Sequence, residues 1–151
     1  MVTKTLLLDE ADFIDFQLYG IASANSDSTH FVFWINQHFQ TQFSRTEDLD
    51  ILIEGQISYY PVFDWEDAET GQYYTIIKNS AYSLNSEQNS GNLFGLFDVA
   101  PPLINQFKQY NYLLKVVGDE GMGLPIWENS FIQKIVPLET DSVKQIDRLI
   151  F

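Results

Sequence analysis

Residues 56 to 80, QISYYPVFDWEDAETGQYYTIIKNS, decide the fold that the sequence predicts. Two runs rich in β-branched and aromatic side chains, 56–65 and 72–80, flank the turn-forming segment 66–71, and this pattern is typical of an antiparallel hairpin. Pro61 has no amide hydrogen to donate to a ladder, so the first run should have a sheet edge or a bulge at that position. The hairpin indicates a sheet built from local antiparallel pairings.

Outside this hairpin, alternating or apolar runs predict further strands at 4–8, 13–22, 51–55 and 110–117. A helix should begin near Ser26 or Asp27, because capping residues stand directly before the apolar run 30–39. Residues 125–136 carry apolar side chains at helical spacing behind a proline, and they predict a second helix that Pro137 ends. The count of about six strands and two helices predicts an α+β fold, with a mostly antiparallel sheet and two helices packed on one face.

The first helix should pack one apolar face on that sheet. On a helical wheel this face is centred on Phe31, Trp34, Ile35 and His38, with Val32 and Phe39 at its edge. His38 is therefore expected to be a packed or boundary residue. Phe33 points nearly opposite, toward solvent.

The rest of the chain gives weaker signals. The 151 residues show no internal repeat and no domain boundary, which predicts a single domain over 1–151. Residues 81–100 are polar and rich in serine and asparagine, so we expect a long and mobile connection there. The tail, 143–151, fits either a last strand or an extended arm.

The chain is strongly acidic, with 8 basic and 21 acidic residues and a formal net charge of −13. Residues 1–100 carry −12 of this charge, and residues 101–151 carry only −1. Such a charge opposes binding to nucleic-acid phosphates and to anionic membrane surfaces, so neither is an expected partner. There is no cysteine, no signal-peptide core and no apolar run long enough to span a bilayer, and these features predict a cytoplasmic protein.

The sequence has no motif that identifies a catalytic or cofactor site. His30 and His38 lie eight residues apart, about 80° round a helix, so they cannot share a metal as a pair four residues apart could. There is no nucleophile elbow, no P-loop and no dinucleotide-binding glycine motif. We therefore expect no catalytic, cofactor-binding or metal-binding residue, although enzymatic activity stays open.

Aromatic residues supply the strongest functional signal. The adjacent pairs Tyr59/Tyr60 and Tyr73/Tyr74 must place one ring on each face of the sheet. Because the helices are expected on one face only, the other face should expose aromatic rings, which commonly anchor interfaces.

The candidate interaction surface is therefore Phe33, Tyr60 and Tyr74. It would serve a non-catalytic domain that binds an unidentified protein or a second copy as a homodimer. The alternative is a small-molecule-binding protein or enzyme with a pocket between the sheet, residues 81–100 and the second predicted helix.

Three stretches together resemble the bacterial IPExxxVDY family. Residues 15–23, DFQLYGIAS, are similar to its D-F-x-L-x-G-I-x-S opening. Asn36 stands at the end of the first helix, as in the family's L-N, and Arg45 and Asp48 resemble its downstream R-x-x-D. Residues 103–114, LINQFKQYNYLL, keep the spacing of the name-giving signature; its matching positions include Leu103, Ile104 and Tyr112.

Four positions of that signature differ in this chain. Asn105, Gln106, Tyr110 and Asn111 stand where the family has Pro, Glu, Val and Asp. The resemblance implies a small cytosolic bacterial domain, and it implies no particular activity. If the family's Glu and Asp formed a catalytic or metal-binding pair, the two amides have lost the charge that this chemistry needs. Either the signature is structural, or this chain has lost an activity.

Overall fold

The computed structural model describes residues 16–53, 55–82, 101–118, 132–141 and 143–151. In these ranges the elements are β1 (Phe16–Ser23), α1 (Ser28–Phe39), β2 (Ser44–Arg45), β3 (Leu49–Ile53), β4 (Gln56–Tyr60), β5 (Val62–Glu66), β6 (Tyr73–Lys78), a 3-10 turn (Asn105–Phe107), β7 (Tyr112–Val117), β8 (Ile132–Leu138) and a second 3-10 turn (Ile146–Leu149). Six strands form an antiparallel sheet in the order β2-β5-β6-β7-β1-β8, and β3 and β4 form a separate antiparallel hairpin.

The predicted α+β class and the mostly antiparallel sheet are confirmed. The predicted strands 13–22, 51–55 and 110–117 correspond to β1, β3 and β7. The predicted strand at 4–8 and most of the connection 81–100 lie outside the described residues.

Of the two predicted helices, only the first is present among the described residues. It begins where the capping signal indicates, because Asp27 is the N-cap and its carboxylate accepts the amide hydrogen of His30 at 3.2 Å. The second predicted helix is wrong over 132–136, which belong to β8, while 125–131 lie outside the described residues. Pro137 does not end a helix but lies within β8. Among the described strands β8 is an edge strand that pairs only with β1, and such a strand tolerates a missing amide hydrogen.

The buried face of α1 is rotated from the predicted one. Its buried residues are Ser28, Phe31, Val32 and Ile35, whereas Trp34 is only half-buried and His38 is exposed. Trp34 and His38 instead stack on each other with ring centroids 4.7 Å apart, at the side of the helix. The predicted packed position of His38 is therefore wrong.

The six-stranded sheet has an apolar core on each face. Adjacent residues of β7, Leu113 and Leu114, are both fully buried, and they belong to different cores. The first core packs against α1. The second lies under the β3–β4 hairpin, the segment 101–110 and the C-terminal segment. The expectation that only one face is covered is wrong, because the central strands are apolar on both sides.

Pro61 divides the predicted strand 56–65 into two strands that belong to different sheets. β4 ends at Tyr60, and β5 begins at Val62. The Pro61 carbonyl still accepts the Lys78 amide hydrogen at 3.0 Å, but proline has no amide hydrogen to continue the ladder. β5 and β6 form the predicted hairpin, while β4 pairs with β3 in the second layer.

The C-terminal segment is neither a strand nor an extended arm. It forms a 3-10 turn, and Ile146 and Leu149 are buried in the second core. Lys115 of β7 is 6% exposed and donates from Nζ to the carbonyl oxygens of Leu149 (2.7 Å) and Phe151 (3.3 Å). These bonds tie the segment to the sheet.

Gly20 of β1 provides a test of this packing. A Cβ atom at this position would lie 2.6 Å from Cγ of the Tyr110 ring, closer than any van der Waals contact allows. We expect Gly20→Ala to lower the free energy of unfolding by about 1–3 kcal/mol, measured by urea denaturation. In a Tyr110→Ala background the ring is absent, so adding Gly20→Ala should cost much less. If the two substitutions lower the free energy of unfolding by strictly additive amounts, the contact between Gly20 and Tyr110 is contradicted.

Candidate functional site

The β3–β4 hairpin has an anchored inner face and an exposed outer face. On the inner face, Leu49, Ile51 and Tyr60 pack in the second core, and the Tyr60 hydroxyl donates to the Pro101 carbonyl at 2.8 Å. On the outer face, Leu52 is 71% exposed and Ile57 is 47% exposed. These two residues are directly opposite each other in the strand register, so they form one apolar patch.

Tyr82 extends this patch past β4. The backbones of Tyr59 and Tyr82 exchange two N–H···O bonds, at 3.1 and 2.9 Å. Their rings stack with centroids 5.8 Å apart, and Tyr82 is 42% exposed. We call Leu52, Ile57, Tyr59 and Tyr82 the outer hairpin face.

An ion pair holds the tyrosine end of this face in place. The Arg45 guanidinium donates three hydrogen bonds to the Asp48 carboxylate, at 2.8, 3.0 and 3.1 Å. The Tyr82 hydroxyl donates to the same carboxylate. This hydrogen bond raises the pKa of Tyr82, with smaller contributions from burial and from the negative charge of Asp48, while Arg45 acts in the opposite direction. The same hydroxyl group therefore links the stacked Tyr59–Tyr82 pair to the Arg45–Asp48 ion pair.

The predicted interaction surface is only partly exposed. Phe33 is 54% exposed, as its helix position predicts, but Tyr60 is fully buried and Tyr74 is 9% exposed. Tyr60 and Tyr74 face the two cores, so their choice as surface residues is wrong. Phe33 lies on α1, across the sheet from the hairpin, and does not share a surface with the outer hairpin face.

The sequence reasoning missed Leu52 and Ile57. The alternation of Leu49, Asp50, Ile51 and Leu52 carries the relevant signal, because it places Asp50 and Leu52 on one side of the strand. The sequence alone does not show that this side is exposed, because it does not show that the side with Leu49 and Ile51 faces a core.

Residues that match the family signature are buried or form hydrogen bonds within the domain. The Asn36 side chain accepts the Phe43 amide hydrogen and donates to the Phe43 carbonyl, both at 2.9 Å, and so fixes the chain after α1. Leu103 and Ile104 are fully buried in the second core. Tyr112 is fully buried, stacks on Phe31 at 3.9 Å and donates its hydroxyl hydrogen to the Asn25 carbonyl at 2.8 Å.

Two of the residues that differ from the signature also form hydrogen bonds with the backbone. Asn111 Oδ1 accepts the Ser23 amide hydrogen at 2.8 Å, and Gln106 Oε1 accepts that of Lys144 at 3.1 Å. In the part of the chain that the structure describes, no three His, Asp or Glu side chains are grouped so that they could hold a metal ion. Each of the two amides thus connects two segments of the chain through a backbone hydrogen bond. Membership of the family stays a prediction.

The predicted ligand pocket cannot be placed on this fold. Of its predicted boundaries, residues 83–100 and 125–131 lie outside the described residues, and residues 132–136 belong to a strand. A different, open groove of about 490 Å³ lies between β1 and the residues that follow β8, and its lining includes Gln17, Tyr19, Glu139 and Asp141. The Tyr19 hydroxyl donates to Gln17 Oε1 at 2.8 Å, and we assign no chemistry to this groove.

Comparisons of the chain with protein-family models, with curated proteins and with solved structures returned no match. Among the described residues, no helix is long and apolar enough to cross a bilayer. The outer hairpin face must therefore be interpreted from its own geometry.

Asn79, a buried residue that the sequence reasoning missed, connects β6 to the segment that supports the hairpin. Its Oδ1 accepts the Ile104 amide hydrogen at 3.0 Å, and its Nδ2 donates to the carbonyls of Phe107 (2.9 Å) and Tyr110 (3.2 Å). Asn79→Ala leaves three backbone groups without this partner and should lower the free energy of unfolding by about 2–5 kcal/mol in urea denaturation. The exposed control Gln133→Ala should change it by less than about 0.5 kcal/mol. Equal effects of the two substitutions would contradict this role.

The bond between Tyr82 and Asp48 predicts a pH dependence. Because the folded-state pKa of Tyr82 is raised above the ordinary tyrosine value of 10.0, the bond contributes stability that is complete below pH 10.0 and is lost as pH rises through the folded-state pKa. Asp48→Asn removes the charge, so Tyr82 should titrate at a lower pH, measured from its ¹³Cζ chemical shift. Asp50→Asn, on the same strand, should leave the titration of Tyr82 in place; an unchanged pKa in Asp48→Asn would contradict the assignment.

Proposed function

We propose that this protein is a non-catalytic interaction domain that binds a protein partner through the outer hairpin face. The observation that carries the proposal is the exposed cross-strand pair Leu52 and Ile57. Single exposed apolar residues are ordinary on protein surfaces, but two opposite each other, continued by stacked tyrosines, make a contiguous patch of the kind that marks interaction sites.

The contacts that anchor the hairpin below the patch support this function. Its inner face is held by Tyr60, and its tyrosine end is held by the Arg45–Asp48 ion pair. Side chains that are already ordered lose less conformational entropy when a partner binds. Tyrosine also offers a large apolar area with few rotatable bonds, which suits it to the centre of an interface.

We also propose a location for the domain and a second kind of partner. We place the domain in the cytoplasm, because the absence of cysteine is typical of a chain that does not depend on disulfides. Self-association through the same face is the second candidate, favoured by the open edge of β3, which pairs only with β4 among the described strands.

The test combines crosslinking with affinity measurement. A photoreactive phenylalanine analogue at position 57, in the cells that naturally make the protein, should give a discrete adduct, whereas the same analogue at position 33 should not. The captured protein should then bind the purified domain. The double variant Leu52→Lys/Ile57→Lys should weaken that binding by at least about tenfold without changing the thermal midpoint, since both side chains are exposed.

Phe33→Lys is the matched control, because it charges an equally exposed apolar residue on the opposite side of the sheet. It should leave the affinity unchanged. The proposal fails if no discrete adduct forms at position 57, or if the double variant binds the captured protein as tightly as the parent. A covalent dimer as the discrete adduct would identify the partner as a second copy.

A further inference from the structure

In the part of the chain that the structure describes, β3 pairs only with β4, and its open edge presents backbone groups that can pair with another strand. Tyr59 gives both its N–H and its C=O to Tyr82 on one side of β4. In an antiparallel strand, the N–H and C=O groups of one residue point to the same side, and those of the next residue point to the other side. The backbone groups of Tyr59 therefore point away from β3, and its opposite residue, Asp50, does not bond to it. The N–H and C=O groups of Asp50, and of Leu52 two residues on, therefore point away from β4. Both residues are exposed.

The two edges of the six-stranded sheet, as the structure describes it, are less suited to pairing. β2 has only two residues. β8 carries exposed Lys134 and exposed Pro137, the residue types that natural sheets place on their edges to prevent pairing. β3 has neither lysine nor proline, and its central exposed side chain is Leu52.

The charge around this edge selects the kind of strand that can pair with it. Asp50 is exposed on β3, beside Leu52 on the same face. From residue 46 to residue 77 the chain has eight acidic residues and no lysine or arginine, and Arg45 is already bound to Asp48. A second copy would bring the same excess of negative charge, whereas a basic segment would be complementary.

We propose that an extended segment of the partner adds to the edge of β3 as an antiparallel strand. An apolar residue of that segment lies opposite Leu52, and a lysine or arginine lies opposite Asp50. Because the added strand runs in the reverse direction, its sequence reads apolar-x-basic. Main-chain hydrogen bonds supply the affinity, and the two cross-strand pairs supply the specificity. This inference rests on the proposed function and names the mode of binding and the chemistry of the partner.

Peptide titration of the intact protein tests the mode of binding directly. The probe is the capped heptapeptide TVTLTKT, and its charge-reversed form is TVTLTET. In ¹⁵N NMR titrations, TVTLTKT should shift the amides of Asp50 and Leu52 and leave that of Phe33 in place. It should bind at least about twofold more tightly than TVTLTET, and Asp50→Lys should reverse this preference.

Backbone methylation of the peptide separates strand pairing from side-chain contact without altering the protein. N-methylation of the peptide leucine blocks the N–H that faces the Leu52 carbonyl, and it should weaken binding by about tenfold. N-methylation of the threonine that follows the leucine alters an N–H that points away, so this matched control should bind like the parent peptide. Equal binding of the two methylated peptides, or absence of shifts at Asp50 and Leu52, would overturn strand addition.

Leu52→Pro separates the two proposals. It removes an N–H that faces the open edge, where proline is tolerated, so the variant should fold. It should abolish the binding of TVTLTKT and weaken that of the captured partner. If the partner is lost in Leu52→Lys/Ile57→Lys but retained in Leu52→Pro, strand addition is overturned and the interaction through the outer hairpin face stands. If neither variant loses the partner, the proposed function fails as well. A stable dimer that forms through β3 would overturn the basic partner in favour of a second copy.

Discussion

The missing amide hydrogen of Pro61 is the constraint on which the arrangement of layers depends. The Pro61 carbonyl accepts the Lys78 amide hydrogen, but proline has no amide hydrogen to donate in return, so the ladder with β6 is interrupted at this residue. Because proline cannot continue that ladder, the chain changes sheets between Tyr60 and Val62. β4 then pairs with β3 over the second face of the six-stranded sheet, and Tyr60 becomes a buried anchor. Once β4 pairs with β3 and Tyr60 is buried, the outer hairpin face is the side of the hairpin that remains exposed.

The central sheet shows why such a second layer is needed. β6 and β7 are buried on both sides, so a helix on one side alone would leave half of their apolar surface in water. The hairpin, the 101–110 segment and the C-terminal segment together cover that half. Polar side chains then secure the covering segments, with Asn79 bonded to the 104–110 backbone and Lys115 bonded to the C-terminal carbonyls. The side chains of Asn79 and Lys115 are both buried, and both form hydrogen bonds with the backbone.

Local features of the fold could be predicted from sequence, and the long-range ones could not. The β5–β6 hairpin and the N-cap at Asp27 depend on residues close together in the chain, and both were predicted. The helix predicted over 125–136 fails at 132–136 because a short apolar run at helical spacing is also compatible with a strand, and pairing with β1 decides between them. The pairs Tyr59/Tyr60 and Tyr73/Tyr74 do split between two faces, but the sequence does not reveal that both faces are covered.

The same limit applies to the site. Phe33 was predicted to be exposed because helical geometry alone decides its direction. Leu52 and Ile57 were missed, because their exposure depends on which side of the hairpin meets the second core. Arg45 and Asp48 were noted from the family resemblance, and their contribution to this site, holding Tyr82 against Tyr59, could be found only once residue 82 lay beside β4.

Strand addition requires that the β3–β4 hairpin is stably folded and that the edge of β3 is open. Hydrogen exchange of single backbone amides in the isolated protein tests this most directly, because alternate residues of one strand should behave differently. The amide of Ile51, which faces β4, should exchange slowly, while those of Asp50 and Leu52 should exchange at rates close to those of an unfolded chain. Slow exchange at Asp50 and Leu52 would mean that the edge is already covered, and it would contradict this account.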